Sequence, residues 1–366
     1  MLAADGTFAP TPDAEKYLPV LDGLTDDDHV QFLRDMVVTR ALDLEAANLQ
    51  RQGQLALWAP SLGQEAAQVG SARAARAQDT IFPSYREHAV ALIRGVDPLG
   101  ILALYRGVTL GGWDPTDPAN GNFRLYTLVL GAQTLHASGY AMGVSFRSET
   151  ATGDPESDKA VMVYFGDGST SEGDVNESMI FAASYQTSQV FFLQNNKWAI
   201  SVPVSRQSRT PLYRRAAGFG LDSVHVDGND VLASYAVSRH HLENARSGNG
   251  PQFIEADTYR VGAHTTSDDP TKYRTTDEFD SWTARDPIAR FETWLRAQGA
   301  ADSLFDEVNT EAKDYAADVR RRCLELPNPD RDAMFDFVYS EEHSLVDDQS
   351  EWLDAYEASL EGGADQ

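Results

Sequence analysis

Short apolar runs that alternate with helical stretches dominate the second half of the chain, and this pattern most constrains the fold. The runs cover residues 160–165, 190–193, 223–226 and 253–256, each bounded by turn residues. Helical patterns over residues 175–185 and 231–245 separate them. Continuously apolar strands that alternate with helices are typical of a buried parallel sheet. The sequence therefore predicts an α/β fold, a parallel sheet with helices on both faces.

The same patterns predict one domain at residues 23–340 with an extension at each end. Residues 1–22 are rich in Pro, Ala and Asp and are expected to form an N-terminal arm outside the core. Helices are predicted after Thr25, over 64–77, from near Tyr85 and over 131–146. Amphipathic helices follow Pro287, and residues 341–366 are expected to form an acidic C-terminal tail.

The charge of the chain excludes several classes of partner. There are 30 Lys and Arg residues against 56 Asp and Glu residues, so the formal net charge is −26. Proteins that bind nucleic acid or anionic lipid carry the opposite balance. The acids are spread along the whole chain and nearly all the cations are arginine, which favours a salt-adapted, halophilic protein over an ordinary acidic one.

Three further features indicate a cytoplasmic protein. No apolar run approaches the roughly 18 residues that span a bilayer. The first residues lack the basic start and apolar region of an export signal. Cys323 is the single cysteine, so neither an internal disulfide nor a cysteine-based zinc site is expected.

Two polar motifs directly follow neighbouring predicted strands. Gly166-Asp167-Gly168 follows the first strand of this half, and Asn195-Asn196 follows the next. Asp167 and Asn196 are 29 residues apart (196 − 167), which is one strand–helix–strand unit, so both can reach one point. Glycines let backbone N–H groups approach a phosphate, and carboxylate and amide oxygens suit Mg²⁺. Together the motifs predict a site for Mg²⁺ and a phosphate group.

The order of these motifs resembles the thiamine diphosphate-binding fold. Over nearly its whole length the chain is similar to the alpha subunit of the E1 component of 2-oxo acid dehydrogenase complexes. The motifs that carry the resemblance are FPSYREHAV, LGAQTLHASGYAMG, GDGSTSEGD, FFLQNNKWAIS and TYRVGAHTTSDDPTKYR. The resemblance implies oxidative decarboxylation of a 2-oxo acid, either branched-chain or pyruvate, and reductive acylation of a lipoyl group.

The resemblance also assigns roles to individual residues. Asp167, Asn196 and the backbone carbonyl of Trp198 would ligate Mg²⁺, and His264 would be the catalytic histidine. The residues that would contact thiamine diphosphate are Tyr85, Arg86, Leu128, Leu130, Gly166, Asp167, Gly168, Ser169, Asn196, Trp198 and His264. Arg86 would fork onto the diphosphate, and Leu128 and Leu130 would contact the aminopyrimidine ring through their backbone groups.

Partners are implied by the same resemblance. A beta subunit would supply a glutamate that activates the cofactor, giving an α₂β₂ heterotetramer, and the E2 lipoyl domain would accept the acyl group. The acid-free stretch from Lys197 to Gly220 is expected either to attract the anionic substrate or this domain, or to be an ordinary solvated loop. Two alternatives stay open: an acetoin dehydrogenase alpha subunit and a non-catalytic organising subunit.

Two positions depart from the family pattern. Many alpha subunits carry a second histidine in the Gly-rich loop, where this chain has Gly111-Gly112-Trp113-Asp114. Some carry arginine directly before the Asn-Asn pair, where this chain has Gln194. Diphosphate binding is therefore expected to depend more on Mg²⁺ and Arg86. Thr265 occupies a position at which some members are phosphorylated on serine.

Overall fold

A five-stranded parallel sheet forms the centre of the fold. The computed structural model describes residues 1–109 and 111–361. Its strands are β1 (Thr80–Phe82), β2 (Val161–Gly166), β3 (Gln189–Asn195), β4 (Trp198–Ala199), β5 (Val202–Pro203), β6 (Asp222–Asp227) and β7 (Gln252–Asp257). The main sheet has the order β1-β2-β3-β7-β6 with every pair parallel, while β4 and β5 form a small antiparallel pair. The predicted α/β class and parallel sheet are confirmed.

Helices make up much of the rest of the described chain. They are α1 (Asp26–Arg51), α2 (Glu65–Ala74), α3 (His88–Ile93), α4 (Pro98–Arg106), α5 (Ala132–Phe146), α6 (Gly173–Tyr185), α7 (Val204–Gln207), α8 (Leu212–Gly218), α9 (Val231–Arg246), α10 (Thr276–Thr283), α11 (Pro287–Ala297), α12 (Asp302–Leu324) and α13 (Ser344–Glu361). Among residues 1–109 and 111–361, no helix has the length and hydropathy that crossing a membrane requires.

Successive strand residues face different helices, as the pleat requires. Val161, Val163 and Phe165 of β2 pack into a buried cluster with side chains of α5 and α6. The Tyr164 hydroxyl between them lies 2.9 Å from Ser71 Oγ of α2 on the opposite face. The central strands β2 and β3 are therefore buried on both sides, which explains why their apolar runs lack polar alternation.

The start of α1 agrees with the helix predicted after Thr25. The Thr25 hydroxyl accepts a hydrogen bond from the Asp28 backbone N–H, and the Asp28 carboxylate accepts from the Thr25 N–H. Two predicted boundaries differ from the structure. The helix predicted over 64–77 ends at Ala74, and the helix expected near Tyr85 begins only at His88. Tyr85 therefore lies in a loop before α3.

The chain divides into two compact units between Leu324 and Glu325. In the first unit, Leu2 is buried in the core cluster with Phe32 and Phe291, although the N-terminal arm was expected outside the core. Between Leu2 and Phe8 the chain has only Ala, Asp, Gly and Thr, which gives no periodicity that would reveal this. In the second unit, Arg331 forms ion pairs with three carboxylates: Asp332, Asp354 and Glu357. The domain boundaries at residues 22 and 340 stay predictions.

Candidate cofactor site

A cavity of about 390 Å³ lies at the carboxyl edge of the sheet, where β2 and β3 end. Every residue that the sequence assigned to the cofactor lines it: Tyr85, Arg86, Leu128, Leu130, Gly166, Asp167, Gly168, Ser169, Asn196, Trp198 and His264. These residues come from loops that are distant in sequence. They meet because parallel strands bring the loops at their carboxyl ends to one edge.

The turn after β2 needs glycine at one position. A Cβ atom at Gly168 would lie 2.9 Å from the Ala199 Cβ, closer than real side chains approach, while a Cβ at Gly166 would meet open space. Ser169 is buried beside them. The backbone of this turn can therefore approach a ligand closely, as phosphate-binding turns do.

Three oxygen atoms converge at the predicted metal position. The Asn196 amide oxygen lies 3.2 Å from Asp167 Oδ1 and 3.1 Å from the Trp198 carbonyl oxygen. These oxygens are all acceptors and repel one another. The Asn196 oxygen also accepts a hydrogen bond of 3.4 Å from the Trp198 N–H, which is too long to offset that repulsion fully. A cation between the oxygens would turn their repulsion into attraction. The chemistry of this donor set therefore fits a hard divalent ion.

Lys197 sets the geometry of the two ligands that flank it. Its φ of 77° lies in the left-handed region, which costs about 1–2 kcal/mol for a residue with a side chain. The conformation turns the Asn196 side chain and the Trp198 carbonyl towards the same point. Its ammonium group forms an ion pair with Asp257 at the end of β7, which ties this turn to the neighbouring strand.

Asp167 is almost completely buried, and burial raises the pKa of its carboxyl group. A hydrogen bond of 2.7 Å from Gln207 Nε2 and the charges of Arg260 and Lys197 lower that pKa in part. Since burial penalises the charged form, a cation beside the carboxylate would stabilise it.

Burial and two neighbouring arginines hold His264 in the neutral form. Arg86 Nη2 and Arg260 Nη1 each lie 3.3 Å from His264 Nδ1, and Arg86 also donates to the His264 carbonyl at 2.8 Å. Burial, followed by the charges of Arg86 and Arg260, lowers the pKa of the imidazole to about 3. Arginine can only donate, so Nδ1 is the acceptor and the ring carries its proton on Nε2. His264 is therefore a neutral hydrogen-bond donor at physiological pH.

The segment with Leu128 and Leu130 presents apolar side chains to solvent. Leu128 is 63% exposed, Val129 70% and Leu130 44%. The segment is anchored from behind, because the Tyr126 hydroxyl lies 2.8 Å from Nδ1 of the buried His88. Exposed apolar side chains at the mouth of a cavity are typical of a surface that a ligand or partner covers.

The Gly-rich loop has a structural role near this anchor. The Trp113 ring packs against Tyr126, with ring centroids 5.2 Å apart. Leu110, within the loop at residues 107–122, lies outside the described residues. The histidine of FPSYREH, His88, lies behind the cavity, where its Nε2 meets the Ala59 carbonyl at 2.9 Å. Both ring nitrogens of His88 are engaged, and His88 is not among the described residues that line the cavity, so it does not replace the second histidine.

The residue at the family's arginine position joins a buried polar network. Gln194 Nε2 donates to Glu87 at 2.6 Å, and Gln194 Oε1 accepts from Gln68 at 3.1 Å. Glu87 also accepts from the Ser84 hydroxyl, and burial raises the pKa of its carboxyl group. Gln194 thus connects the end of β3 to the loop that carries Arg86.

Among the cavity residues that sequence reasoning missed, two contact a proposed metal ligand through their side chains. Arg260 is only 1% exposed and donates to the carbonyls of Trp198 and Ile200, both at 2.8 Å. It precedes His264 by four residues in the same motif, which is a signal that could have identified it. Gln64, the other of these two residues, precedes α2 and has no such signal.

Comparisons with known proteins agree with the fold. A family model described as dehydrogenase E1 component matches residues 33–326. A protein named 3-methyl-2-oxobutanoate dehydrogenase subunit alpha, from Mycobacterium tuberculosis, is 46% identical over 308 residues, which are 84% of this chain and 81% of that protein. A pyruvate dehydrogenase E1 component subunit alpha from Staphylococcus epidermidis is 34% identical over 323 residues, 87% and 84% of the two chains. A pyruvate dehydrogenase E1 component subunit alpha from Acholeplasma laidlawii is 38% identical over 276 residues, which are 74% of this chain and 76% of that protein. The chain therefore belongs to the dehydrogenase E1 component family.

Proposed function

We propose that this chain is the alpha subunit of a 2-oxo acid dehydrogenase E1 component. With a beta subunit, it would catalyse oxidative decarboxylation of a 2-oxo acid and pass the acyl group to the lipoyl group of an E2 component. Family membership implies thiamine diphosphate as the cofactor, and we propose Mg²⁺ as its metal. The observation that carries the proposal is the convergence of Asp167, Asn196 and Trp198 oxygens in the cavity.

The spacing of these oxygens supports Mg²⁺. Adjacent ligands of an octahedral ion at 2.0–2.1 Å lie about 2.9 Å apart. The contacts of 3.1 and 3.2 Å at Asn196 are close to that value. When bound, thiamine diphosphate would supply a carbanion centre that adds to the 2-oxo carbon and accepts the electron pair left when CO₂ departs.

The residues of the chain would bind and orient in this scheme. Arg86 and Arg260 place two cationic groups beside the phosphate-binding turn, where they would balance the charge of the diphosphate and the substrate carboxylate. Neutral His264 would donate from Nε2 to an oxygen of the bound substrate or acyl unit. The apolar side chains of the Leu128–Leu130 segment would exclude water from one side of the cavity.

A beta subunit is needed to complete the site. Among the described residues that line the cavity, the carboxylic acids are Asp167, which we assign to the metal, and Glu87, which Ser84 and Gln194 already engage. An activating glutamate would therefore have to come from another chain. The exposed segment around Val129 would form part of the contact with that chain.

The charges of the acid-free stretch from Lys197 to Gly220 favour an anionic ligand. Arg206, Arg209 and Arg214 are exposed in the acid-free stretch that also carries Gln207, the hydrogen-bond donor to Asp167. Replacing the three arginines with glutamine is expected to raise the KM for a lipoyl domain about three- to tenfold at low salt. Steady-state kinetics at increasing KCl should show the difference shrinking, because salt screens exposed charges. A KM equal to that of the unaltered enzyme at low salt would contradict this role.

The surface composition supports a salt-adapted protein, and we propose the cytoplasm as its location. The 26-residue excess of acids (56 − 30) would keep the surface hydrated at high salt. The cationic groups of the site are local exceptions to this charge.

The proposed activity can be tested with the chain alone and with a co-expressed beta subunit. Turnover would be measured as decarboxylation of 3-methyl-2-oxobutanoate, pyruvate or 2-oxoglutarate and as carbon–carbon cleavage of acetoin, in the presence of Mg²⁺ and thiamine diphosphate. We expect activity only with the beta subunit and the highest kcat/KM for 3-methyl-2-oxobutanoate, the substrate named for the relative at 46% identity. Steady decarboxylation by the chain alone, or turnover of acetoin only, would contradict the proposal.

A further inference from the structure

Gln64 lies against the metal position with one half of its amide unpartnered. Its side chain is fully buried and lines the cavity. Gln64 Oε1 accepts a hydrogen bond of 3.2 Å from Asn196 Nδ2, whereas Gln64 Nε2 is buried without a partner. Gln64 occupies the N-cap position of α2, but its side chain makes no capping bond to that helix. The side chain is therefore directed at Asn196 and not at its own helix.

The Asn196 amide has two possible orientations, which differ in the group that faces Gln64. In one, the amide oxygen faces Asp167 and the Trp198 carbonyl, and the NH₂ group faces Gln64 Oε1. In the other, the NH₂ group donates to Asp167 and Trp198, and the oxygen turns towards Gln64. The first orientation presents an oxygen to a cation, whereas the second presents hydrogens that would repel it. An acceptor at position 64 stabilises the first orientation.

The backbone holds Gln64 firmly in place. Its N–H donates to the Ser61 carbonyl at 3.0 Å, and the preceding Gly63 has a φ of 91°. A Cβ at Gly63 would lie 2.3 Å from the Tyr259 carbonyl oxygen, so only glycine fits this close approach. The Gly63 carbonyl also accepts a 2.9 Å hydrogen bond from the Thr258 hydroxyl. The backbone that carries Gln64 is thus fixed by the segment that follows β7, independently of any ligand.

We propose that Gln64 is a positioning residue that fixes the Asn196 amide oxygen on the Mg²⁺ ion. This inference rests on the proposed function, because it takes the metal to be held by Asp167, Asn196 and Trp198. Gln64 itself need not touch the ion. It selects the ligand orientation of Asn196 through one hydrogen bond, as outer partners of metal ligands do.

Three substitutions of Gln64 test this role, because they differ in whether the new side chain can accept a hydrogen bond from Asn196. Gln64→Met keeps the length of the side chain but removes the acceptor, so Mg²⁺ affinity should fall by about tenfold or more. Gln64→Leu is a second variant without the acceptor. Gln64→Glu offers only acceptor oxygens while its carboxylate is ionised beside the cation, so Mg²⁺ affinity should stay within about threefold of the unaltered protein or become tighter.

Gln189→Met is the matched control. Gln189 is also fully buried, with an oxygen that accepts a hydrogen bond, 2.9 Å from Ser138 Oγ, and an unpartnered Nε2. It lies at the amino end of β3, so its replacement removes equivalent interactions at the opposite edge of the sheet. We expect a change in the melting temperature but Mg²⁺ affinity within about threefold of the unaltered protein.

The measurement is a calorimetric titration of the full chain, co-purified with its beta subunit, with thiamine diphosphate at several Mg²⁺ concentrations. Melting temperatures without ligand separate binding from folding. Unchanged Mg²⁺ affinity in Gln64→Met and Gln64→Leu, or an equal loss in Gln64→Glu, would overturn this inference alone. Absence of Mg²⁺-dependent binding by the unaltered protein would overturn the proposed function as well.

Discussion

Replacing Asp167 with alanine is expected to abolish Mg²⁺-dependent binding of thiamine diphosphate. Asp167 is the only charged group among the three proposed ligands, the others being an amide and a carbonyl oxygen. We expect the affinity to fall by more than about 100-fold, since even the outer partners of metal ligands contribute about 10- to 100-fold. Activity with the beta subunit should be lost to the same extent.

In the absence of ligand, Asp167→Ala should not lower the melting temperature of the protein. Burial raises the pKa of Asp167, which means that the fold disfavours its ionised form. Alanine removes this buried carboxyl group, so the ligand-free protein should melt at the same or a higher temperature. The rise in melting temperature on adding Mg²⁺ and thiamine diphosphate, which follows from binding to the folded state alone, should disappear.

Asp174→Ala is the control for this substitution. Asp174 belongs to the same GDGSTSEGD segment but lies in the first turn of α6. It should leave the ligand-induced rise in melting temperature intact. An Asp167→Ala protein that still gains thermal stability from Mg²⁺ and cofactor would show that the three oxygens do not form the metal site.

The meeting of Asp167 and Asn196 could be predicted from the sequence because both follow strands directly. Gly166 pairs with Gln194 across β2 and β3, so the two motifs leave adjacent strands at the same level. The apolar runs identified these strands, and the spacing of one strand–helix–strand unit made them neighbours. No long-range information was needed for this part of the site.

Gln64 could not be predicted in the same way. It is 132 positions from Asn196, and it reaches the cavity because α2 packs against α9 and the segment after β7 closes over Gly63. The hydrophobic pattern of α2 specifies a buried helix but not the direction of the side chain before it. The same holds for the start of α3, where Tyr85 stays outside the helix while its carbonyl accepts from the Tyr105 hydroxyl at 2.6 Å.

Arg260→Met is expected to affect the metal ligands and His264 together. The substitution removes the N–H groups that donate to the Trp198 and Ile200 carbonyls. The Trp198 carbonyl, a proposed metal ligand, then loses the hydrogen bond that orients it. We expect the affinity for Mg²⁺ and thiamine diphosphate to fall about 10- to 100-fold. Arg274→Met is the control, because Arg274 lies in the same loop and instead contacts the carbonyls of Val261 and Gly262.

The effect of Arg260→Met on His264 has a defined sign. Burial and the charges of Arg86 and Arg260 lower the pKa of His264 to about 3, so removing one charge should raise this pKa. It should stay below the ordinary value of about 6.5, because burial and Arg86 remain. In the unaltered protein, His264 stays neutral in the folded state but becomes protonated in the unfolded state as pH falls below about 6.5. Protonation of the unfolded state favours unfolding, so the stability of the protein falls below that pH. Because Arg260→Met raises the pKa of the folded state, the pH range over which stability is lost becomes narrower at its acid end.

Arg260→Lys separates the two roles of Arg260. Lysine keeps the positive charge but cannot reach both carbonyls with a planar fork, so cofactor affinity should fall while the pKa of His264 stays low. Carbon-detected NMR of labelled imidazole rings would measure that pKa, and calorimetry would measure the affinity. If Arg260→Met left the His264 pKa unchanged, the charge of Arg260 would not hold the histidine neutral. If Arg260→Lys bound cofactor like the unaltered protein, charge alone would account for Arg260, and its hydrogen bond to the Trp198 carbonyl would not position a metal ligand.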